Sequence, residues 1–175
     1  MVLVSSPLHV MKIKFKGLFD FDRLMREVRS WLIENSYEFQ EGSYKHKIPT
    51  PLGYEQELVW TAERKVTGYV RYKIRIFFHF YEMNDVEVVK DNQRVKMAQG
   101  RFFIEMLPTV ELDYNNYFNT PLMISLQDFL HKYIIFHRIH GGYEDELYYR
   151  TFKLHLLMKE AIGMTTTTNA ARYRY

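Results

Sequence analysis

His137 and His140 stand one helical turn apart, just ahead of Glu144 and Asp145. Two histidines and a carboxylate in that arrangement could hold a transition metal. The pair lies against Gly141-Gly142, however, so its simpler reading is basic groups near a helix C-terminus, where the dipole favours them. Hydrolytic chemistry has no firmer footing: the chain has serines and seven histidines but no Gly-x-Ser-x-Gly elbow. The eight glycines form neither of the familiar phosphate-loop spacings. Zero cysteines exclude a thiol nucleophile, a thiolate metal site, an iron–sulfur cluster and a disulfide framework. The carboxylate pairs Glu105 with Glu111 and Glu111 with Asp113 fall on the predicted outer face of a strand, where solvation accounts for them. The expectation is a protein without metal or cofactor and, on balance, not an enzyme.

One constellation is left over. Tyr69, Arg71, Lys73, Arg75, Phe77 and His79 alternate, so in a strand they share a face with about 6.5–7 Å between neighbours. Three cations at that spacing can follow a phosphate backbone while Tyr69 and Phe77 stack on bases. Alternatively, Glu63 opposite Arg71, with acids from a later strand such as Glu105 or Asp113, would neutralise the stripe across the sheet. Catalysis is the least favoured use. The terminal run Arg172-Tyr173-Arg174-Tyr175 interleaves basic and aromatic residues like a segment that folds onto a partner, with an unstructured terminus as the alternative.

A sheet must position the stripe. Val10 to Gly17 alternates Lys12, Lys14 and Lys16 with Met11, Ile13 and Phe15, which predicts a strand with one wet face. Asp20 or Asp22 caps a helix to about Asn35, whose apolar stripe is Phe21, Leu24, Met25, Val28, Trp31 and Leu32. Tyr37 to Ile48 is extended. Leu58, Trp60 and Ala62, followed by even positions from Val70 to Phe80, predict a long hairpin. A three-residue loop Val66-Thr67-Gly68, with Gly68 left-handed, would set Glu63 opposite Arg71 and Trp60 opposite Ile74. A second hairpin turning at Asp91-Asn92 pairs Val88 with Val95 and Val86 with Met97, and Gly100 marks a slip of the pattern that predicts a bulge there. Thr120-Pro121 opens a helix to about His140 that is apolar around most of its circumference, so burial on more than one side is expected. Gly141-Gly142 breaks it, and a last helix starts at the acidic run from Glu144 and stops at Gly163.

This order predicts one α+β domain: a curved antiparallel sheet of about five to six strands, an N-terminal helix and a C-terminal helical pair. Residues 1–10 read as an extension, 11–163 as the domain, and 164–175 as a flexible or partner-ordered tail. The order loosely resembles the helix-grip (START-like) fold over about residues 11–162. That resemblance implies an apolar ligand held between Trp60, Tyr72, Ile74, Ile76 and Phe78 of the sheet and Leu126, Phe129 and Tyr133 of the following helix. With Val2 to Ser5 as a strand, the order also resembles the longin-like one. The run Trp60-Thr61-Ala62-Glu63-Arg64-Lys65-Val66-Thr67 is similar to small archaeal proteins of unassigned function, which implies a cytoplasmic location and points to no function.

Composition narrows the classes further. A chain of 175 residues can bury about 70% of its unfolded surface, enough for a core without staples. A net charge of +3 is too small by itself to argue for nucleic acid. Its distribution is uneven, since Phe102 to His131 contains acids but no Lys or Arg, and an electrically two-sided molecule is expected. No stretch reaches the roughly 18 apolar residues of a membrane span. Aromatic residues make up 17% of the chain, and Tyr69, Phe77, Tyr81, Phe103, Tyr173 and Tyr175 fall off the predicted apolar faces. The leading expectation is a non-enzymatic interaction module that meets a protein or ribonucleoprotein through the stripe and the tail. An apolar-ligand binder and a direct RNA binder are the alternatives.

Overall fold

Period-two alternation builds the sheet. Its strands are β1 (Ser5–Pro7), β2 (Met11–Phe19), β3 (Glu38–His46), β4 (Tyr54–Lys65), β5 (Val70–Lys90) and β6 (Gln93–Leu112). The computed structural model describes residues 5–46, 51–90, 93–130, 133 and 139–164. All pairings are antiparallel, and β6, β5, β4 and β3 follow one another across the sheet. The free edge of β6 is shared, with β1 beside Thr109 to Glu111 and β2 beside Ala98 to Met106. Six strands therefore lie five across, and Ser5–Pro7, from the segment read as an extension, is part of the sheet.

The even side chains of β4, β5 and β6 form the inner face. Trp60, Ala62, Tyr72, Ile74, Ile76, Phe78, Phe80, Ile104, Met106 and Val110 are all buried there. Helix α1 (Phe21–Glu34) starts where Asp20 accepts a 2.8 Å hydrogen bond from the Arg23 amide, and it buries Leu24, Val28, Trp31 and Leu32. Among the described residues two further α-helices follow, α2 (Pro121–Leu130) and α3 (Asp145–Ala161). Buried Leu147, Thr151, Leu154, Met158 and Ala161 line one side of α3, which packs on α1, β2 and β6. Gly163, at φ 77°, ends α3 by the two backbone hydrogen bonds of a Schellman turn, Gly163 N to Glu160 O and Met164 N to Lys159 O. At one end of this interface the Tyr72 hydroxyl donates to Glu146 at 3.0 Å, and Arg150 donates to Glu146 at 2.8 Å and to Asn35. That chain of polar contacts ties α1 and α3 to β5.

Several expectations need correction. In the first hairpin Glu63 faces Lys73 and Trp60 faces Ile76, two residues from the predicted register. The loop is Thr67-Gly68-Tyr69, because the Thr67 hydroxyl accepts the Tyr69 and Val70 amides and moves the turn one residue on. Gly68 is not left-handed. A shift of two preserves every face, so the inside and outside assignments survive the change. The second hairpin has the predicted pairs Val88 with Val95 and Val86 with Met97, while Asp91-Asn92 lies outside the described residues. The bulge is on β5 rather than at Gly100: Glu82, at φ 53°, and Met83 together oppose Gly100.

The C-terminal helices also differ from expectation. Gly141-Gly142 does not break the chain's coil but lies within a π-helical turn, Ile139–Glu144, that runs directly into α3. Helix α3 packs on α1. Asp113 is not on an outer strand face: it is buried beyond the end of β6, where its carboxylate accepts the Tyr117 and Phe118 amides. Glu105 and Glu111, from the stretch without cations, sit beside Lys12 and Arg71. Among the described residues no helix is long and apolar enough to cross a membrane.

Candidate functional site

Helices cover the inner face of the sheet, and no described helix covers the outer one. The outer face carries odd residues of β4, β5 and β6 and even residues of β2, and the register sorts them into rows. Lys16, Arg101 and Tyr81 form one row; Lys14, Phe103, His79 and Glu57 form the next; Lys12, Glu105, Phe77 and Val59 form the third. Rows nearer the first hairpin loop hold Thr61 with Arg75, then Glu63 with Lys73, then Arg71 with Glu111.

The two ends of this face differ in charge. Near the loop, Arg71 gives two hydrogen bonds to Glu111, at 2.9 and 2.7 Å, and one to Glu63 at 2.8 Å. Lys73 reaches Glu63 at 3.0 Å and Glu111 at 3.8 Å. Two cations and two carboxylates thus satisfy one another, which is the cross-strand pairing the sequence allowed. Tyr69 is likewise engaged, accepting a 3.0 Å hydrogen bond from Gln127 and packing edge-on to Phe118, and burial pushes its phenol pKa upward. Arg75 is exposed and has no acidic partner among the described residues.

The opposite end is aromatic and basic. Phe77, His79 and Tyr81 follow one another along β5, with His79 stacked on Tyr81 at a ring separation of 3.7 Å and edge-on to Phe77 at 5.8 Å. Phe103 stands beside His79 on β6. Lys12 and Lys14 lie 5.9 and 5.8 Å from the Phe103 ring centre, and the Arg101 guanidinium lies 5.3 Å from that of Tyr81. Lys12 is paired with Glu105 and Arg101 with Glu82, whereas Lys14 and Lys16 are exposed with no acidic partner among the described residues. Lys14, Lys16, Tyr81, Arg101 and Phe103, with Phe15 and Phe102, line an open depression of about 710 Å³.

The bulge sets this geometry. It adds a residue between Tyr81 and the inward-facing Met83, and it leaves the Glu82 carboxylate 2.8 Å from Arg101. On the other flank of the platform His79 Nε2 is hydrogen-bonded to Glu55, with Glu57 at 3.5 Å. One ligand atom from each of Glu55, Glu57 and His79 falls within a common 4.8 Å, close enough to hold a divalent cation.

The stripe expected to act as a unit is therefore divided. Arg71 and Lys73 are neutralised, Tyr69 is tied to Gln127, and Phe77 and His79 join the platform with Arg75 beside them. Arg172, Tyr173, Arg174 and Tyr175 lie outside the described residues, as does His137. The two halves of the expected apolar-ligand site are not brought together. Trp60, Tyr72, Ile74, Ile76 and Phe78 are filled core at 2% exposure or less, whereas Leu126, Phe129 and Tyr133 are exposed. Sequence reasoning missed Lys14, Lys16 and Arg101 as members of a site, although it placed the lysines on a wet strand face and Tyr81 and Phe103 off the core. The missing information was that β2 lies against β6. Comparison with protein-family models, curated proteins and solved structures finds no match to the chain.

Proposed function

We propose that the protein is an interaction module whose open sheet face binds single-stranded RNA. The observation that carries this reading is the aromatic platform of Phe77, His79, Tyr81 and Phe103, bordered by Lys14 and Lys16 with no acidic partner among the described residues. Bases have a π face that stacks on such rings whatever their identity, and alternate lysines of a strand stand about 6.5–7 Å apart, a suitable spacing for successive phosphates. Lysines on an edge strand also deter pairing with other sheets. That role gives no reason for the aromatic platform beside them, and RNA binding does. Glu55 and Glu57 bound the platform on its β4 side, so a strand of phosphates would run along β2 and β6 rather than across β4.

Fluorescence anisotropy with a labelled single-stranded RNA of mixed sequence tests the reading. With Lys14 and Lys16 each meeting a phosphate, the logarithmic salt slope should be about −1.4, so fourfold more salt weakens binding roughly sevenfold. Tyr81→Ala and Phe103→Ala should each reduce affinity about tenfold or more. Lys14→Gln with Lys16→Gln should flatten the salt slope by about 1.4. Arg71→Gln, at the neutralised end, should leave affinity nearly unchanged. A flat salt dependence, or binding indifferent to both aromatic substitutions, overturns the proposal, as does a protein partner captured by this face with no affinity for RNA.

A further inference from the structure

We infer, on the strength of the RNA reading above, that Glu105 ends the phosphate track, so that the site takes a short single strand with a footprint of about three nucleotides. Along β2 the outward lysines are Lys12, Lys14 and Lys16, and the register sets Glu105, Phe103 and Arg101 of β6 beside them in that order. Of the three lysines, Lys14 and Lys16 have no acidic partner among the described residues. Lys12 has one: its Nζ lies 3.4 Å from Glu105 Oε2, and Phe77 completes that row on β5. A phosphate arriving there meets a carboxylate, and the lysine that would receive it is already paired. The track stops at its other end too, because the row beyond Lys16 holds Leu18, Gln99 and Asn84, none of them charged.

Neighbouring outward residues of a strand stand about 6.5–7 Å apart, so Lys14 and Lys16 serve two successive phosphates. The rows they head hold Phe103 with His79 and Arg101 with Tyr81, the rings on which the adjoining bases stack. A further phosphate at the Lys12 row gains little, since attraction to the lysine and repulsion from the carboxylate act at similar distances and nearly cancel. The fold itself does not call for Glu105. Its side chain is 35% exposed and that of Lys12 54%, and an ion pair so open to water contributes little stability. Lys14 and Lys16 stand on the same strand without such a partner, so the sheet has no need to neutralise Lys12. What the carboxylate does supply is discrimination against a strand that continues past the platform.

Competition of unlabelled oligouridylates of increasing length, without terminal phosphates, against a labelled RNA on the full chain tests the inference. Affinity should rise steeply up to about three nucleotides and then gain no more than about sixfold by about eight, the factor that the extra placements on a longer strand supply. Glu105→Gln should release Lys12 as a third contact. With the longest RNA the logarithmic salt slope then steepens from about −1.4 to about −2.1, and fourfold more salt weakens binding roughly eighteenfold instead of sevenfold. Glu34→Gln makes the same change of charge at the exposed end of α1, away from the sheet face, and should leave the slope at its wild-type value. A wild-type affinity that keeps climbing with length, or a slope that Glu105→Gln leaves unchanged, overturns the inference while the RNA reading stands. A wild type that binds none of the lengths overturns both.

Discussion

Gly53→Val is expected to lower the thermal unfolding midpoint by roughly 10 °C or more, the consequence of about 4 kcal/mol of destabilisation in a domain this size. Gly53 sits at φ +121°, where side-chain-bearing residues are strained. A Cβ there would lie 2.6 Å from the Glu82 carbonyl carbon and 2.6 Å from the Met83 oxygen, both backbone atoms that cannot swing aside. Gly100 closes the other flank, since its Cβ would meet Met83 Sδ at 2.8 Å and the Tyr81 oxygen at 3.0 Å. The β5 bulge is therefore clamped between two glycines, and with it the placement of Tyr81 and of the Glu82–Arg101 pair at the candidate site. Gly68→Ala is the control: nothing lies within 4 Å of the added carbon, and the melting point should move by no more than about 2 °C. Melts followed by circular dichroism measure both. A Gly53→Val protein that melts with the wild type would mean that the bulge does not pack on Gly53.

Raising the pH from 10 to 12 is expected to remove about 2 kcal/mol of stability through Tyr37 alone. Burial at 4% exposure pushes its phenol from 10.0 up to about 12, against partial opposition from Arg150 and Arg64. In the unfolded chain the phenol ionises around pH 10, whereas the native state keeps the proton until about pH 12. Across that window the unfolded state binds fewer protons, so stability falls as pH rises; below pH 10 both states are protonated and the contribution is complete. Tyr72 acts in the same direction, raised by burial and by the hydrogen bond it donates to Glu146. The Tyr37 hydroxyl is buried without a hydrogen-bond partner among the described residues. Tyr37→Phe should therefore be at least as stable as the wild type at neutral pH. It should also lose less stability on the way to about pH 11.5, as measured by urea unfolding. Equal alkaline losses in the two proteins would remove Tyr37 as the cause.

Much of this molecule follows from local pattern. Asp20 and Gly163 end their helices where their side chain and backbone freedom permit, and the stripe from Leu24 to Leu32 is buried as its spacing requires. The odd positions from Arg71 to His79 share the outer face, and the Val88–Val95 pairing follows from matched apolar and charged positions on the two strands. Where expectation failed, a longer-range or finer interaction decided. The Thr67 hydroxyl moved the first turn, packing of Met83 into the core put the bulge on β5 instead of at Gly100, and Gln127 docked α2 by its polar side.

The same division holds at the candidate site. Sequence alone determined which side chains face outward, because inward and outward alternation is a property of each strand's own pleat and survives a register shift of two. Only the tertiary structure decided which outward residues meet. Glu63 and Glu111 lie on the two strands flanking Arg71, so that end of the stripe is neutralised. β2 joins β6 from the far end of the chain, so Lys14 and Lys16 arrive beside Phe103 and Tyr81. Strand neighbours are chosen by burial summed over the whole inner face, a quantity that no local window of sequence contains.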